Sequence, residues 1–262
     1  MLIDAHCHVP HAGYKKDVDS IIEDASSVGV SKLIVIGTSI SENEKVIKFV
    51  VEPKHANIFC SIGIYPHEDM DKSVEELREA LESALALSEK IVAIGECGID
   101  VSNWQGGRSI EDQIKIFEMQ IQVALDHDLP IIIHNRNGDA QVMALFNKYH
   151  GSKLRGVAHS FSQSWEVAQQ YLDLGFYISF SGMITYPARK PLLETVAKVP
   201  LDRFLVETDS PYLPPQGHRG EPNYPEYVKI VAEKVAQVKE KPFDEIADWS
   251  YKNTCTVFNK LS

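Results

Sequence analysis

Short β-rich runs alternate with segments of helical periodicity from one end of this chain to the other. Such alternation predicts a parallel sheet, because parallel strands are usually joined by helical crossovers. The candidate strands are residues 2–8, 32–37, 58–65, 91–97, 130–135, 156–161, 177–182 and 204–209. Eight strand–helix units in 262 residues predict an α/β fold, a single-domain (β/α)8 TIM barrel over residues 1–262. An open doubly wound sheet is the alternative.

Local signals place helices between the strands. Residues 18–28 carry an apolar stripe of helical spacing, and Gly29 supplies a left-handed stop after it. Ser73 and Glu76 have the spacing of a capping box. Ser164 is a candidate N-cap of a later helix. Under the barrel hypothesis, active-site residues are expected at the carboxyl ends of the strands.

Composition excludes several classes of protein. The chain has 26 Lys and Arg against 37 Asp and Glu, a net charge of −11, which is unlike a protein that coats nucleic acid. Its four cysteines form no CxxC pair, so we expect reduced and mostly buried thiols. The first residues do not resemble a signal peptide and no apolar run is long enough to span a membrane. We therefore expect a cytoplasmic protein with no membrane partner and no obligate protein partner.

Two histidines close the first strand. His6 and His8 are two residues apart, so strand alternation points both to the same side, about 7 Å apart along the backbone. Two imidazoles placed in this way can converge on one metal ion. Asp4 lies one step deeper on the same face, where its carboxylate could accept a hydrogen bond from a ligand ring. Read alone, the pair could also be two surface histidines.

The ends of four other strands carry the same chemical types. These residues are Glu96, His134, His159 and Asp209. With His6 and His8 they offer four imidazoles and two carboxylates, a donor set that suits Zn²⁺, Mn²⁺ or Mg²⁺. The set is too large for one tetrahedral ion with an open position, so we predict two ions. Taken singly, His134 could be a core histidine, Glu96 a salt-bridge partner and Asp209 a helix cap.

Three carboxylates have further expected roles. Glu96 is the best candidate to bridge two ions, because residues 91–100 contain no lysine that could be carbamylated for that task. Asp209 could be a ligand or a general base that takes a proton from water. Glu207 lies one step deeper on the same face and is expected to support a ligand rather than bind metal.

Five segments in order along the chain resemble the TatD family of metal-dependent hydrolases, within the amidohydrolase-like superfamily. They are Ile3-Asp4-Ala5-His6-Cys7-His8, Gly95-Glu96-Cys97-Gly98-Ile99-Asp100, Pro130-Ile131-Ile132-Ile133-His134-Asn135-Arg136, His159-Ser160-Phe161-Ser162 and Glu207-Thr208-Asp209-Ser210-Pro211. The resemblance implies a (β/α)8 barrel and a hydrolase acting on ester bonds, a deoxyribonuclease or related phosphodiesterase that uses two divalent metal ions.

The resemblance also implies a ligand set. The implied ligands are His6, His8 and Asp209 for one ion, His134 and His159 for the other, and Glu96 as the bridge. In the implied reaction, metal-activated water attacks phosphorus and Asp209 handles the proton. Asp209 and Glu96 are thus the implied catalytic residues.

Candidate substrate contacts lie outside this set. His67, Arg219 and Asn223 match family segments and are predicted to contact phosphate or substrate. Arg136 shares the face of His134 by alternation and offers a planar fork suited to phosphate, although pairing with Asp139 would compete. DNA or another phosphodiester is the expected partner.

The chain also departs from the family pattern. Tyr65 replaces the first histidine of a Gly-x-His-Pro-His segment, Gln163 stands where glycine is frequent, and Tyr224 stands where glutamate is usual. These departures concern the substrate pocket. The aromatic residues expected near the barrel rim are Trp104, Trp165 and Tyr186. Each could stack on a base, but packing between loop and barrel is favoured.

The sequence leaves more than one function open. The favoured hypothesis is a phosphodiesterase acting on DNA ends or short single strands. A second enzyme hypothesis keeps the metals and changes the bond to an ester or amide, such as an aminoacyl-tRNA linkage or a small cyclic amide. A catalytically silent scaffold is the third. Retention of all the candidate ligands argues against a scaffold, because inward-facing polar groups are costly.

Overall fold

The computed structural model of the protein describes residues 1–102 and 106–261. The strands are β1 Leu2–Cys7, β2 Val30–Ile36, β3 Ile58–Ile62, β4 Ile91–Asp100, β5 Ile131–Arg136, β6 Gly156–Ala158, β7 Tyr177–Phe180 and β8 Phe204–Val206. They belong to one sheet in the order β1 to β8, and the pairings with a described register are parallel. This order is that of a (β/α)8 barrel, so the predicted fold class is confirmed. A doubly wound sheet would break the sequential order.

Helices follow the strands in the alternation that the sequence predicts. The described α-helices are α1 Val18–Ser27, α2 Ile40–Val50, α3 Val74–Leu85, α4 Ile110–Asp126, α5 Asp139–Lys148, α6 Trp165–Asp173, α7 Leu192–Lys198, α8 Val228–Lys239 and α9 Phe243–Val257. Gly29 follows α1 with a φ of 93°, and the capping box of Ser73 and Glu76 opens α3, as expected. Ser164 stands at the N-cap position of α6, but its side chain pairs with Glu166 instead of capping a backbone N–H.

Close contacts divide the chain into two compact units. The first unit comprises Met1–Val35 and Ser160–Val257, and α9 packs in it against β1 and β8. The second unit comprises Ile36–His159 and 258–261, and its core is built on β4, which is buried along its whole length and packs against α4. Organisation of residues 1–262 as a single domain stays a prediction.

The thiols are disposed as the sequence indicates. Cys7, Cys60 and Cys97 are buried, Cys255 is partly exposed, and none of these four forms a disulfide in the described structure. Within residues 1–102 and 106–261, no helix has both the length and the apolar character needed to cross a membrane.

Candidate metal centre

The predicted ligands fall into two groups, one in each compact unit. We call His6, His8 and Asp209 the first cluster. The second cluster comprises Glu96, His134 and His159, of which the two histidines supply imidazole and the glutamate a carboxylate. Within each cluster, one ligand atom from each residue lies within 4.8 Å of the others. Each cluster therefore brings two imidazoles and one carboxylate to a volume that one ion could occupy.

In the first cluster, the Asp209 carboxylate faces both imidazoles. Its Oδ1 lies 3.3 Å from His8 Nε2 and 3.6 Å from His6 Nε2. The two rings are 5.2 Å apart between centroids, so strand alternation has put them side by side as expected. His6 is fully buried, whereas the side chains of His8 and Asp209 are 14% and 13% exposed. Solvent thus reaches the cluster from the side of His8 and Asp209.

Main-chain bonds hold this arrangement. The N–H of Asp209 donates to the His6 carbonyl at 2.9 Å, and the N–H of His8 donates to the Ser210 carbonyl at 2.7 Å. Asp209 itself has a φ of 59°, a left-handed conformation that aspartate tolerates better than most residues. The segment after β8 is therefore fastened to β1 beside the two histidines. A turn follows Asp209 rather than a helix, so Asp209 is not a helix cap.

Asp4 supports the first cluster in a different way from the one expected. Its carboxylate accepts hydrogen bonds from the Thr208 N–H at 2.9 Å and the Thr208 hydroxyl at 2.6 Å, and a longer one, 3.4 Å, from the backbone N–H of His6. Burial raises the pKa of Asp4 well above its usual range, although the bonds from Thr208 oppose the rise. Asp4 thus fixes the backbone next to Asp209.

In the second cluster, Glu96 lies between two histidines. Its Oε1 is 2.8 Å from His134 Nδ1 and 3.2 Å from His159 Nε2. Glu96 and His159 are buried, and the two rings are 5.8 Å apart. The three residues come from β4, from β5 and from the position just after β6, and these strands pair in parallel.

Two glycines flank Glu96 for a steric reason. Gly98 pairs with His134 in the ladder, and a Cβ on it would lie 1.9 Å from the His134 carbonyl oxygen. A Cβ on Gly95 would lie 2.5 Å from the Ile132 carbonyl oxygen. Both glycines also have φ values near +145°, namely 143° and 149°, which other residues rarely adopt. The Gly-Glu-Cys-Gly segment therefore lets β5 come close enough to place His134 beside Glu96.

Asp100 and Tyr65 form an outer contact to the second cluster that sequence reasoning did not assign. The Tyr65 hydroxyl donates to Asp100 Oδ2 at 2.7 Å, and the same oxygen lies 3.4 Å from His134 Nε2. Burial alone would raise the pKa of Asp100, but bonds from His134, Ser102 and Tyr65 outweigh it and hold the pKa well below its usual range. Asp100 is therefore a carboxylate that fixes the orientation of the His134 ring.

A carboxylate oxygen therefore lies close to each nitrogen of the His134 ring. Burial disfavours its protonation, but the bonds to Asp100 and Glu96 more than offset this and raise its pKa. Both residues of the outer contact stand out in the sequence. Asp100 ends the Gly-Glu-Cys-Gly-Ile-Asp segment, and Tyr65 replaces the first histidine of the family's Gly-x-His-Pro-His segment. What the sequence could not supply is that these two residues meet.

The donor sets fit divalent metal ions. Imidazole nitrogen and carboxylate oxygen are the ligands that Zn²⁺ and Mn²⁺ take in proteins, and carboxylate also suits Mg²⁺. Glu96 places a buried carboxylate oxygen within 3.2 Å of two imidazole nitrogens, an arrangement that a shared cation would stabilise.

The sequence of the chain matches a known protein family. The family model described as TatD related DNase matches residues 3–259. The chain belongs to the TatD family. It is therefore a metal-dependent hydrolase, and the resemblance drawn from five short segments is confirmed over nearly the whole sequence.

Relatives of this TatD-family chain match along almost their full length. The metal-dependent hydrolase YabD of Bacillus subtilis is 36% identical over 259 residues, which is 98% of this chain and 99% of YabD. The metal-dependent hydrolase YjjV of Escherichia coli K12 is 33% identical over 260 residues, 98% of this chain and 97% of YjjV. The crystal structure of YjjV, described as a TatD homolog, superimposes with a TM-score of 0.89 and covers 98% of both chains at 31% identity.

The predicted substrate contacts in the second unit are His67 and Arg136. His67 Nδ1 accepts a hydrogen bond from the Arg108 N–H at 3.1 Å, and the Arg108 guanidinium donates to the carbonyls of Pro66 and Glu68. Arg136 is exposed two residues after His134. Burial raises the pKa of Tyr65 well above its usual range, and the nearby charge of Arg136 opposes this rise only slightly. Arg136 thus remains well placed for an anion.

Asp139, the alternative partner of Arg136, is used elsewhere. Its carboxylate accepts a hydrogen bond from Asn135 Nδ2 at 2.6 Å, at the start of α5. The structure therefore favours Arg136 as a solvent-facing guanidinium over the salt bridge that the sequence left open.

The two predicted contacts in the first unit have different surroundings. Arg219 is exposed, and its guanidinium lies 4.9 Å from the centre of the Tyr186 ring. Asn223 is completely buried: its Nδ2 donates to the carbonyls of Thr208 and Tyr212 at 2.8 and 2.7 Å, and its Oδ1 accepts from the Tyr224 N–H. The role that the structure gives Asn223 is to hold the loop after β8.

The remaining departures from the family pattern are packed in the loops. Tyr224 is buried against Tyr14, with Lys16 Nζ 4.7 Å from its ring centre. The Gln163 carbonyl accepts a hydrogen bond from the Thr195 hydroxyl at 3.3 Å.

The aromatic residues expected at the rim are in contact with cations. Lys198 Nζ lies 5.7 Å from the Trp165 ring, and Arg219 covers Tyr186, whose hydroxyl donates to the Pro214 carbonyl. These contacts agree with packing rather than base stacking. Trp104 lies outside the described residues.

Proposed function

We propose that the chain is a deoxyribonuclease that hydrolyses phosphodiester bonds at DNA ends or in short single strands, with two divalent metal ions in its site. The family establishes a metal-dependent hydrolase. The family model's description as a DNase suggests the nucleic-acid substrate, and the nuclease activity of this chain is the proposal.

The observation that carries the proposal is the presence of two clusters of the same composition. Two imidazoles and a carboxylate occur in each, so each can hold an ion and leave coordination positions open. Paired ions are typical of enzymes that cleave phosphodiesters, because two cations can stabilise the attacking and leaving oxygens together.

Within this proposal each ligand has a role. His6, His8 and Asp209 would hold one ion, and His134 and His159 the other. Glu96 would bridge them, since a carboxylate has two oxygens. The bound ions would lower the pKa of water and offset charge on phosphoryl oxygens.

The protein's own groups would handle the proton and the phosphate. Asp209 would accept the proton of the attacking water, because its carboxylate is partly exposed beside the two histidines of its cluster. Arg136 would contact a phosphate oxygen, because it is exposed two residues beyond His134 and Asp139 does not engage it. His67 and Arg219 would make weaker contacts from their loops.

The charge of the protein limits the substrate. At a net charge of −11, long-range attraction to duplex DNA is poor, and binding to phosphates should weaken further with salt. Ends and short single strands need fewer backbone contacts, so they are the substrates that we expect.

The experiment compares two bonds on one preparation. The metal-loaded protein is assayed with 3′-end-labelled single-stranded DNA and with an aminoacyl ester, in turn with Mg²⁺, Mn²⁺ and Zn²⁺. Nucleotide release is expected. Amino acid release without nucleotide release at any metal concentration would replace the proposal with the ester hydrolase.

The bridging role has its own test. Glu96→Ala should abolish turnover and reduce the metal content measured by elemental analysis. Glu89→Ala is the matched control, because Glu89 is an exposed glutamate shortly before β4 whose contact in the described structure is a 4.0 Å ion pair with Lys260. Wild-type metal content and activity in Glu96→Ala would remove the bridging role.

A further inference from the structure

Aromatic rings continue outward from the first cluster within the first unit. The Tyr212 ring lies 5.6 Å from the His8 ring at an angle of 74°, and 5.6 Å from the His11 ring at 66°. The Tyr212 hydroxyl and His11 Nε2 are 3.2 Å apart, within hydrogen-bond distance. We call His11 and Tyr212 the aromatic ledge. The ledge therefore touches a predicted metal ligand, His8, at its inner end.

The ledge exposes ring surface to solvent. Tyr212 is 50% exposed, and His11 is exposed as well. The other large hydrophobic residues that are exposed in the described structure are aliphatic: Met1, Val51, Met70 and Leu87. Steeply angled rings meet edge to face, which is a favourable geometry for an aromatic pair. An exposed aromatic ring beside a candidate active site offers a surface on which a base can stack.

The backbone of Tyr212 is fixed although its ring is exposed. Its N–H donates to the Asp209 carbonyl at 2.8 Å, and its carbonyl accepts from Asn223 Nδ2 at 2.7 Å. The backbone that carries the ring is therefore held three residues after Asp209, and the 3.2 Å contact of the Tyr212 hydroxyl with His11 Nε2 positions the ring itself. A ligand that stacks on a ring held in this way loses less binding free energy to ordering.

We propose that the aromatic ledge binds a nucleobase of a single-stranded substrate by stacking, next to the bond that is hydrolysed. This inference rests on the proposed function and names the part of the substrate that the site recognises besides phosphate. Every base has a flat π-face, so the ledge should require a base but show little preference among the four.

Charge makes stacking more useful than phosphate attraction on this side of the site. Lys15 and Lys16 lie in the same loop as His11, but Lys15 pairs with Glu221 and Lys16 with Asp24. The protein as a whole is acidic. Stacking does not depend on net charge, so it can supply binding that the paired lysines do not.

The neighbouring aromatic residues are less suited to the task. Arg219 lies over the Tyr186 ring and Lys198 over the Trp165 ring, so a cation already occupies a face of each. Tyr224 is buried. Tyr212 differs from these three because half of its surface is exposed beside His8.

The test separates the base from the phosphate. A short phosphorothioate-linked thymidine strand, which resists hydrolysis, is compared with the same strand carrying an abasic residue at its 3′ end. Binding to the metal-loaded protein is followed by fluorescence anisotropy of a 5′ label. The wild type should bind the strand with the base about 5- to 150-fold more tightly, the range for stacking of one base.

Variants assign the effect to the ring. Tyr212→Leu keeps apolar volume and removes the ring, so it should bind both strands equally and as weakly as the wild type binds the abasic strand. Tyr212→Phe keeps the ring and loses the bond to His11, so it should retain most of the preference. Tyr251→Leu is the matched control, because it removes a tyrosine ring from α9, where Tyr251 bonds with Cys255.

Each remaining outcome is decisive. An unchanged preference in Tyr212→Leu, with a wild-type melting temperature, overturns the ledge. The ledge is also overturned if the wild type hydrolyses DNA but binds the abasic strand as tightly as the strand with the base. In that case the proposed function is not affected. If no strand is bound or hydrolysed, both proposals fail. If Tyr212→Leu alters only the turnover of aminoacyl esters with aromatic side chains, the ledge binds an aromatic amino acid and the nucleobase is wrong.

Discussion

Replacing Asn223 distinguishes a substrate contact from a support of the loop. The family segment predicts that Asn223 contacts substrate, whereas the structure buries it completely and uses its amide inside the protein. A contact residue can be removed with little effect on folding. A buried amide that satisfies several backbone groups cannot.

The expected magnitude follows from the bonds that would be lost. Asn223→Ala leaves the carbonyls of Thr208 and Tyr212 and the N–H of Tyr224 without their partner. A buried polar group left unsatisfied costs about 1–3 kcal/mol, and water entering the vacated space favours the lower end of that range. For the three groups together we expect a loss of about 3 kcal/mol in the free energy of unfolding.

The assay uses metal-free protein, so that binding of metal or DNA does not contribute. Thermal unfolding followed by circular dichroism should show a melting temperature lowered by about 6–12 °C for a protein of this size. Arg219→Ala is the matched control in the same loop. Its exposed guanidinium lies over Tyr186, and loss of that contact should cost less than about 1 kcal/mol.

The reasoning is refuted if Asn223→Ala melts within about 1 °C of the wild type, well under the shift worked out above. Weaker binding of single-stranded DNA in such a variant would then assign Asn223 to the substrate. A lowered melting temperature accompanied by lost activity supports the structural role, since Asn223 holds the carbonyl of Thr208, the residue before Asp209.

Three further predictions follow from the same structure. Asp100→Asn should weaken metal binding at the second cluster by about 10–100-fold, because the carboxylate that orients His134 is lost. Calorimetric titration with Mn²⁺ measures the affinity, and an unchanged affinity would refute the orienting role of Asp100. Gly98→Ala should lower the free energy of unfolding by about 3 kcal/mol or more, because the new Cβ would lie 1.9 Å from the His134 carbonyl oxygen. Gly217→Ala is the control and should melt like the wild type, because a Cβ at Gly217 would have no atom within 4 Å. Burial raises the pKa of Cys60 to about 12, so with rising pH the thiol ionises first in the unfolded protein, and the stability that the protonated thiol contributes is lost from about pH 9 towards 12. The melting temperature of a Cys60→Ala variant should therefore fall less steeply than that of the wild type over this pH range. Parallel melting curves against pH would contradict the raised pKa of Cys60.

The strands were predictable because each carries a strong local signal. Each of the eight predicted runs overlaps a strand of the structure. Five of the six predicted ligands stand near or just after the end of a strand, whereas Glu96 lies inside β4, which continues to Asp100. Apolar β-branched runs decide where a strand forms, and this information is local. The ends of the strands were less predictable, because partners distant in sequence decide them.

Residues 58–65 illustrate this difference. The sequence predicts one strand over this range, but β3 ends at Ile62. The N–H and carbonyl of Ile64 bond instead with the side chain of Gln120 on α4, at 2.7 and 2.9 Å. Gln120 is 56 residues away in the sequence, so the residues around Ile64 do not predict this contact. In the same way β8 stops at Val206 shortly before Asp209, whose φ of 59° is incompatible with a strand.

For the site as well, the residue types could be predicted from the sequence but their contacts could not. Which residues could ligate metal follows from residue type and strand position, since His6, His8 and Asp209 are recognisable from the chain alone. How they are supported does not follow, because Asp4 was expected to bond an imidazole and bonds Thr208 instead. Asp4 and Thr208 are 204 residues apart, and their pairing fixes the backbone immediately before Asp209.

This support explains why the chain tolerates a buried acid at position 4. Burial alone would make an ionised Asp4 strongly unfavourable, and its pKa is raised accordingly. Two hydrogen bonds from Thr208 offset part of that cost, and they also hold the residue next to Asp209 in position. Thr208→Val should therefore act on both functions: it removes the hydroxyl bond but keeps the N–H bond and the shape. We expect a less stable protein whose first cluster binds metal more weakly, whereas a purely packing role for Thr208 would lower the melting temperature and leave metal affinity unchanged.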